Sequence, residues 1–130
     1  MRRLLHATAL AAILALWTYL LLAPEPVPEV LPGDYSWFDK EMAKFLLAKS
    51  LHLSAYAFLA AFGGSLFPSA RGRWMYWGVL VLHGIGTEIG QTYVPNRHGC
   101  VRDVLIDAAG IAVGAWALRW HASRGTEADA

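Results

Sequence analysis

The sequence predicts an all-α membrane protein, a bundle of four transmembrane helices. Three observations predict it. Of 130 residues, 56% are hydrophobic and 16% charged, against roughly 45–50% and 25% in soluble domains. Four stretches approach the ~20 mostly apolar residues that cross a bilayer core. Short polar or proline-bearing segments separate them. The length suits a single domain, 1–130. A net charge of +1 gives no reason to expect a nucleic-acid partner. The single cysteine, Cys100, allows no intrachain disulfide and no zinc-type cysteine pair.

The first span, 4–23, reads "LLHATALAAILALWTYLLLA" and is the cleanest. Arg2 and Arg3 before it would also suit a secretory signal. The apolar run exceeds the ~7–15 residues of such signals, and no A-x-A site precedes Pro24, so a retained helix is expected. "APEPVPEVLPGDYSWFDK" follows, with four prolines that favour extended backbone, and reads as an extracytoplasmic loop. Asp34, Ser36 or Asp39 would cap a helix beginning near Phe38. That helix continues into the second span, 46–67. "FPSARGR" is a short turn before the third span, 74–94, and "PNRHG" a short turn before the fourth, 101–120. "SRGTEADA" reads as a polar, frayed tail.

Arginine and lysine placement sets orientation. Arg2 and Arg3, Arg71 and Arg73, and Arg119 and Arg124 fall on one side of a four-span chain. On the other side Lys40, Lys44, Arg97 and Arg102 are diluted by Glu25, Glu29, Asp34, Asp39 and Glu41. The expectation is a plasma (inner) membrane protein with both termini cytoplasmic. Trp74, Tyr76, Trp77, Trp116 and Trp120 would form an inner aromatic belt, and Tyr35, Trp37 and Tyr93 an outer one.

Polar residues interrupt the last three spans at one level. Lys49, His52 and Tyr56 lie at i, i+3 and i+7 on the second. Glu88 and Gln91 lie on the third, Asp103 and Asp107 on the fourth, and Arg97, His98 and Arg102 at the connecting turn. Gly110 and Gly114 continue the Asp103–Asp107 face as a small-residue seam, and Gly86 and Gly90 offer another on the third span. An ionised residue at mid-bilayer costs on the order of 2.5–3.5 kcal/mol, so these groups should face one another. Plainer readings compete: Lys49 snorkelling, Tyr56 packing, Arg102 anchoring to headgroups, and Asp103 answering a helix dipole. His83 reads as a hydrogen-bonded core histidine, and His6 and His121 as interfacial. Asp107 lies beyond the first turn and Glu88 in a C-terminal half, so neither is a dipole partner.

Glu88-x2-Gln91-x3-Pro95-x-Arg97-x5-Asp103-x3-Asp107-x2-Gly110-x3-Gly114 resembles the signature of the VanZ-like membrane proteins. "KSLHLSAY", with Lys49, His52 and Tyr56, is similar to that family's earlier K-x-x-H-x-x-x-Y element. The resemblance covers about residues 39–118. Asp107 departs from it, since the family usually carries Asn there. It implies a small bacterial multi-span membrane protein, with a founding member linked to resistance to the glycopeptide teicoplanin.

Three functions follow. The first is a site near the extracytoplasmic face for a lipid-linked or cell-envelope ligand, with Lys49, His52 and Arg97 meeting an anionic headgroup. The second is a membrane enzyme using His52 and Glu88 as acid and base, or an oxygen/nitrogen metal site formed with Asp103 and Asp107. The third is a polar network that only fixes helix packing. The first is preferred, with membrane lipids as partners and no metal or cofactor expected.

Overall fold

The structure, a computed structural model, describes residues 1–24, 37–95 and 97–128, the side chains of 2, 3, 37, 38 and 125–128 excepted. Among them are four helices and no strand: α1 (Arg2–Leu22), α2 (Trp37–Gly64), α3 (Ala70–Gln91) and α4 (Val101–Ala128). Most of the expected proline-rich loop, with Asp34, Tyr35 and Ser36, and the Trp37 side chain lie outside the described residues.

α2 extends well before residue 46, with Asp39 in its first turn, where the helix dipole favours an acid. It ends at Gly64, ahead of 67, because Pro68 cannot continue a helix. The Ser69 hydroxyl caps α3 by accepting from Gly72 N at 3.1 Å. α4 corrects the expected tail: it runs to Ala128. "SRGTEA" lacks proline, and Arg, Glu and Ala favour helix enough to carry Gly125.

Two helices, over Leu4–Leu22 and Asp39–Gly64, are long and apolar enough to cross a membrane. α3 and α4 fall below that measure. Arg71, Arg73 and Glu88 lower the hydropathy of one, and Arg102, Asp103, Asp107 and Arg119 that of the other.

α2 touches all three other helices, and its largest interface is with α4. α1 packs on α2 and α3 and, among the described residues, not on α4. The α2–α4 contact rests on missing side chains. A Cβ on Gly110 would run into the Leu53 carbonyl, and one on Gly114 into the Ala57 carbonyl. The pairings Lys49–Asp103 and His52–Asp107 advance together, so α2 and α4 run parallel. Tyr56–His83 and Leu59–Tyr76 advance oppositely, so α3 is antiparallel to α2.

The expected second seam is only partly present. Gly86 is exposed, and a Cβ there would meet nothing within 4 Å. Gly90 instead faces α1, with Leu22 Cδ2 2.9 Å from where its Cβ would lie. Gly84 is the α3 glycine turned toward α4, with Asp107 Oδ2 3.1 Å from where its Cβ would lie. Two residues along a helix turn the chain about 200°, so Gly86 points away from that face.

The expected inner belt also needs correction. Trp77 is buried and Tyr76 half-buried. Trp77 Nε1 donates to Ala60 O at 3.1 Å, and Tyr76 OH donates to Leu59 O at 2.9 Å. Each finds a carbonyl because an indole N–H or phenol removed from water needs a partner. Trp74, Trp116 and Trp120 remain exposed.

Candidate polar site between the helices

Lys49 Nζ donates to both oxygens of Asp103, at 2.6 Å each. The lysine is therefore drawn inward to α4 rather than out toward an interface. Its ammonium also lies 5.3 Å from the Phe45 ring centre, and the exposed Arg102 covers the same ring at 4.9 Å.

One turn deeper, His52 Nδ1 lies 2.9 Å from Asp107 Oδ1. Glu88 joins them from α3. Its Oε2 accepts from Cys100 N at 2.8 Å. That contact needs the turn to close tightly on α3, and Gly99 permits it: a Cβ there would strike Glu88's own carbonyl. The two carboxylates are otherwise short of partners. Glu88 is 4% exposed and Asp107 1% exposed, yet Oε1 of the first and Oδ2 of the second accept no hydrogen bond. His52, Glu88 and Asp107 each offer a ligand atom, all within 4.8 Å of one another.

Deeper still, a neutral relay forms. Thr18 Oγ1 donates to Leu14 O at 2.7 Å, which commits its hydrogen. It must then accept from His83 Nε2, 2.9 Å away. That fixes the proton on Nε2, so Nδ1 accepts from Tyr56 OH at 2.9 Å. His83 thus has both ring nitrogens bonded within the core, and Tyr56 is a donor as well as a packing residue.

Gln91 and Arg97 serve α1. Gln91 Nε2 donates to Leu21 O at 3.1 Å and an Arg97 terminal nitrogen to the same oxygen at 2.8 Å. The last carbonyls of a helix lack internal partners, and these side chains supply them. Burial pushes the Arg97 pKa down from its ordinary value, while the charges of Glu88 and Asp103 hold it up. Arg97 Nε has no partner. With His52, Trp17 and Leu21, Arg97 lines a cavity of about 130 Å³ between α1 and α2.

Several participants carry no signal in the motif. Trp17 packs edge-on against His52 and Tyr56, with ring centres 5.8 and 6.3 Å away, and its Nε1 has no partner. Thr18, the Leu21 carbonyl, Gly99 and the Cys100 amide complete the site. The polar and aromatic pair Trp17–Thr18 inside a Leu/Ala helix is the sequence mark on α1 that lies beside the cluster. His98 and Arg102 are exposed and outside the cluster.

Chemically, the arrangement divides. Lys49–Asp103 and Tyr56–His83–Thr18 are internally matched sets. Glu88, Asp107, Arg97 and His52 retain bonding capacity toward a bound group. No curated protein and no solved structure matches the chain. The VanZ/LLP1 family profile matches residues 9–122, nearly the whole chain and every residue of the cluster, and the chain belongs to that family.

Proposed function

We propose that the protein spans the plasma (inner) membrane four times with both termini cytoplasmic, and that its α1–α2 cavity binds the anionic headgroup of a lipid-linked cell-envelope ligand near the extracytoplasmic face. The exposed sides of the two less hydropathic helices support the spans. α3 presents Met75, Val79, Leu82 and Ile89 outward, and α4 presents Leu105, Val113 and Trp116. Alternating helix directions put Arg71, Arg73 and Arg119 at the end opposite the cluster, the basic end expected inside.

The observation that carries the ligand reading is Arg97, which lines the cavity beside His52 and whose buried Nε has no partner. Guanidinium groups recognise phosphate geometry. Lys49 drops out of the expected trio because Asp103 already occupies it. The cavity's ~130 Å³ fits a headgroup fragment and falls below the roughly 300–1,000 Å³ of drug-sized pockets. We therefore take the envelope lipid, rather than teicoplanin itself, as the ligand.

Nanodisc-embedded protein titrated with undecaprenyl phosphate and with undecaprenol tests this by native mass spectrometry. The phosphate should bind about tenfold tighter, the worth of one charge-assisted hydrogen bond. Arg97→Ala should erase that preference. Equal binding of the two lipids by the wild type, or an unchanged preference in the variant, overturns the reading. A purely structural role accounts for the matched sets but leaves Glu88 Oε1 and Asp107 Oδ2 without purpose.

A further inference from the structure

The geometry points to a divalent transition-metal site, of the zinc or manganese class, formed by His52 of α2, Glu88 of α3 and Asp107 of α4. It goes beyond the headgroup reading and stands without it, since Arg97 is not a ligand.

Four observations carry the site. The three side chains come from three helices and are all buried, yet their ligand atoms fall within 4.8 Å of one another. Two ligands of a tetrahedral metal at ~2.1 Å stand ~3.4 Å apart. Side-chain rotations that bring the ligand atoms at most about 1.4 Å closer together close the widest spacing. Next, Glu88 Oε1 and Asp107 Oδ2 are buried acceptors with no donor. A desolvated carboxylate oxygen left this way is costly, and a cation removes the cost. Third, Lys49 is committed to both oxygens of Asp103, and among the described residues neither Lys49 nor Arg97 forms a salt bridge with Glu88 or Asp107. Among the described residues, the ion-pair partner of Asp107 is His52, itself a proposed ligand, and Glu88 has none. Fourth, the donor set is one imidazole and two carboxylates, the mixed nitrogen/oxygen chemistry that zinc and manganese accept.

Asp103, a ligand candidate from sequence, is excluded because Lys49 takes both its oxygens. Supporting contacts hold the ligands in place. Cys100 N fixes Glu88 through Oε2, and the Trp17 ring edge packs on His52. Such outer contacts orient metal ligands. Three protein ligands leave a coordination position for water or a ligand oxygen, the pattern of catalytic rather than structural sites. His52 also lines the α1–α2 cavity, so the metal would sit at its wall.

Tag-free protein in detergent, stripped with a chelator, reloaded with zinc or manganese and desalted, gives the test by elemental mass spectrometry. About one ion per chain is expected for the wild type, and less than a tenth as much for His52→Ala, Glu88→Gln and Asp107→Asn. Asp103→Asn should still load. A wild type that is helical by circular dichroism and holds neither metal overturns the proposal, as does equal loading of folded variants. Should the variants not fold, X-ray absorption on loaded wild type decides: one nitrogen and two carboxylate ligands support the site, and a different donor set overturns it. Stripped protein that still prefers undecaprenyl phosphate keeps the headgroup reading whatever the metal result. Loaded protein without that preference removes only the headgroup reading.

Discussion

At one end of the bundle, Tyr76 and Trp77 of α3 donate to carbonyls of α2. At the other end, Lys49, His52, Glu88, Asp103 and Asp107 meet across three helices. The first end uses neutral donors, and each is matched. The second uses ionisable groups, and several are not. Among the described residues, the four buried side-chain polar atoms without a partner are Trp17 Nε1, Glu88 Oε1, Arg97 Nε and Asp107 Oδ2. All four sit at the second end. Helix association needs only matched groups, so the Trp77 end is what packing alone looks like. The surplus at the other end is what the proposed ligand and metal sites rest on.

The largest expected effect breaks the charged end where it is matched. Asp103→Ala strands the Lys49 ammonium, and removing one partner of a buried pair costs about 3–5 kcal/mol. Lys49 is only half-buried, so the loss should fall at the lower end of that range. The double variant Lys49→Met with Asp103→Leu should recover most of it, read by unfolding titrations in mixed micelles. If the double variant is no better than the single one, the pair is not the source of the loss.

The seam shared by both ends comes next. Gly110→Leu forces a side chain into the Leu53 carbonyl, and overpacking of this kind costs about 1–3 kcal/mol or more. Gly86→Leu, with nothing within 4 Å, is the matched control and should unfold like the wild type. Similar losses in both would place the helix interface on another face.

Trp77→Phe probes the neutral end. It removes one hydrogen bond between helices, worth about 0.6 kcal/mol on average and at most about 1.7. Binding of envelope lipid or metal should not change. Glu88→Gln has the smallest expected effect on stability, within about 0.5 kcal/mol, because it removes an unmatched buried charge and keeps the shape. It should nonetheless lose metal. A variant that is strongly destabilised would instead place Glu88 among the matched, structural groups.

Much of this was legible in the sequence. The four helices and the shared faces of Lys49–His52–Tyr56 and Asp103–Asp107–Gly110–Gly114 follow from helical periodicity. Which acid meets which base does not follow, because pairing depends on how far each helix is rotated. Asp103 and Asp107 are chemically alike, and only the α2–α4 register sends one to Lys49 and the other to His52. Gly86 misled for a related reason: glycine spacing shows that a close approach is permitted, not where the neighbour lies. The part played by α1 was hidden because its contribution is partly a backbone oxygen, Leu21 O, which no side-chain motif displays.

That oxygen also bears on how the protein is assembled. Leu21 O is bonded by Gln91 and Arg97, residues made 70 and 76 positions later in synthesis. The first helix must therefore wait, with an open carbonyl at its end, until the hairpin of the third and fourth arrives. Closing that latch is a late event in biogenesis. It ties the first segment made to completion of the site, so a chain halted before Arg97 lacks both the clasp and the cavity.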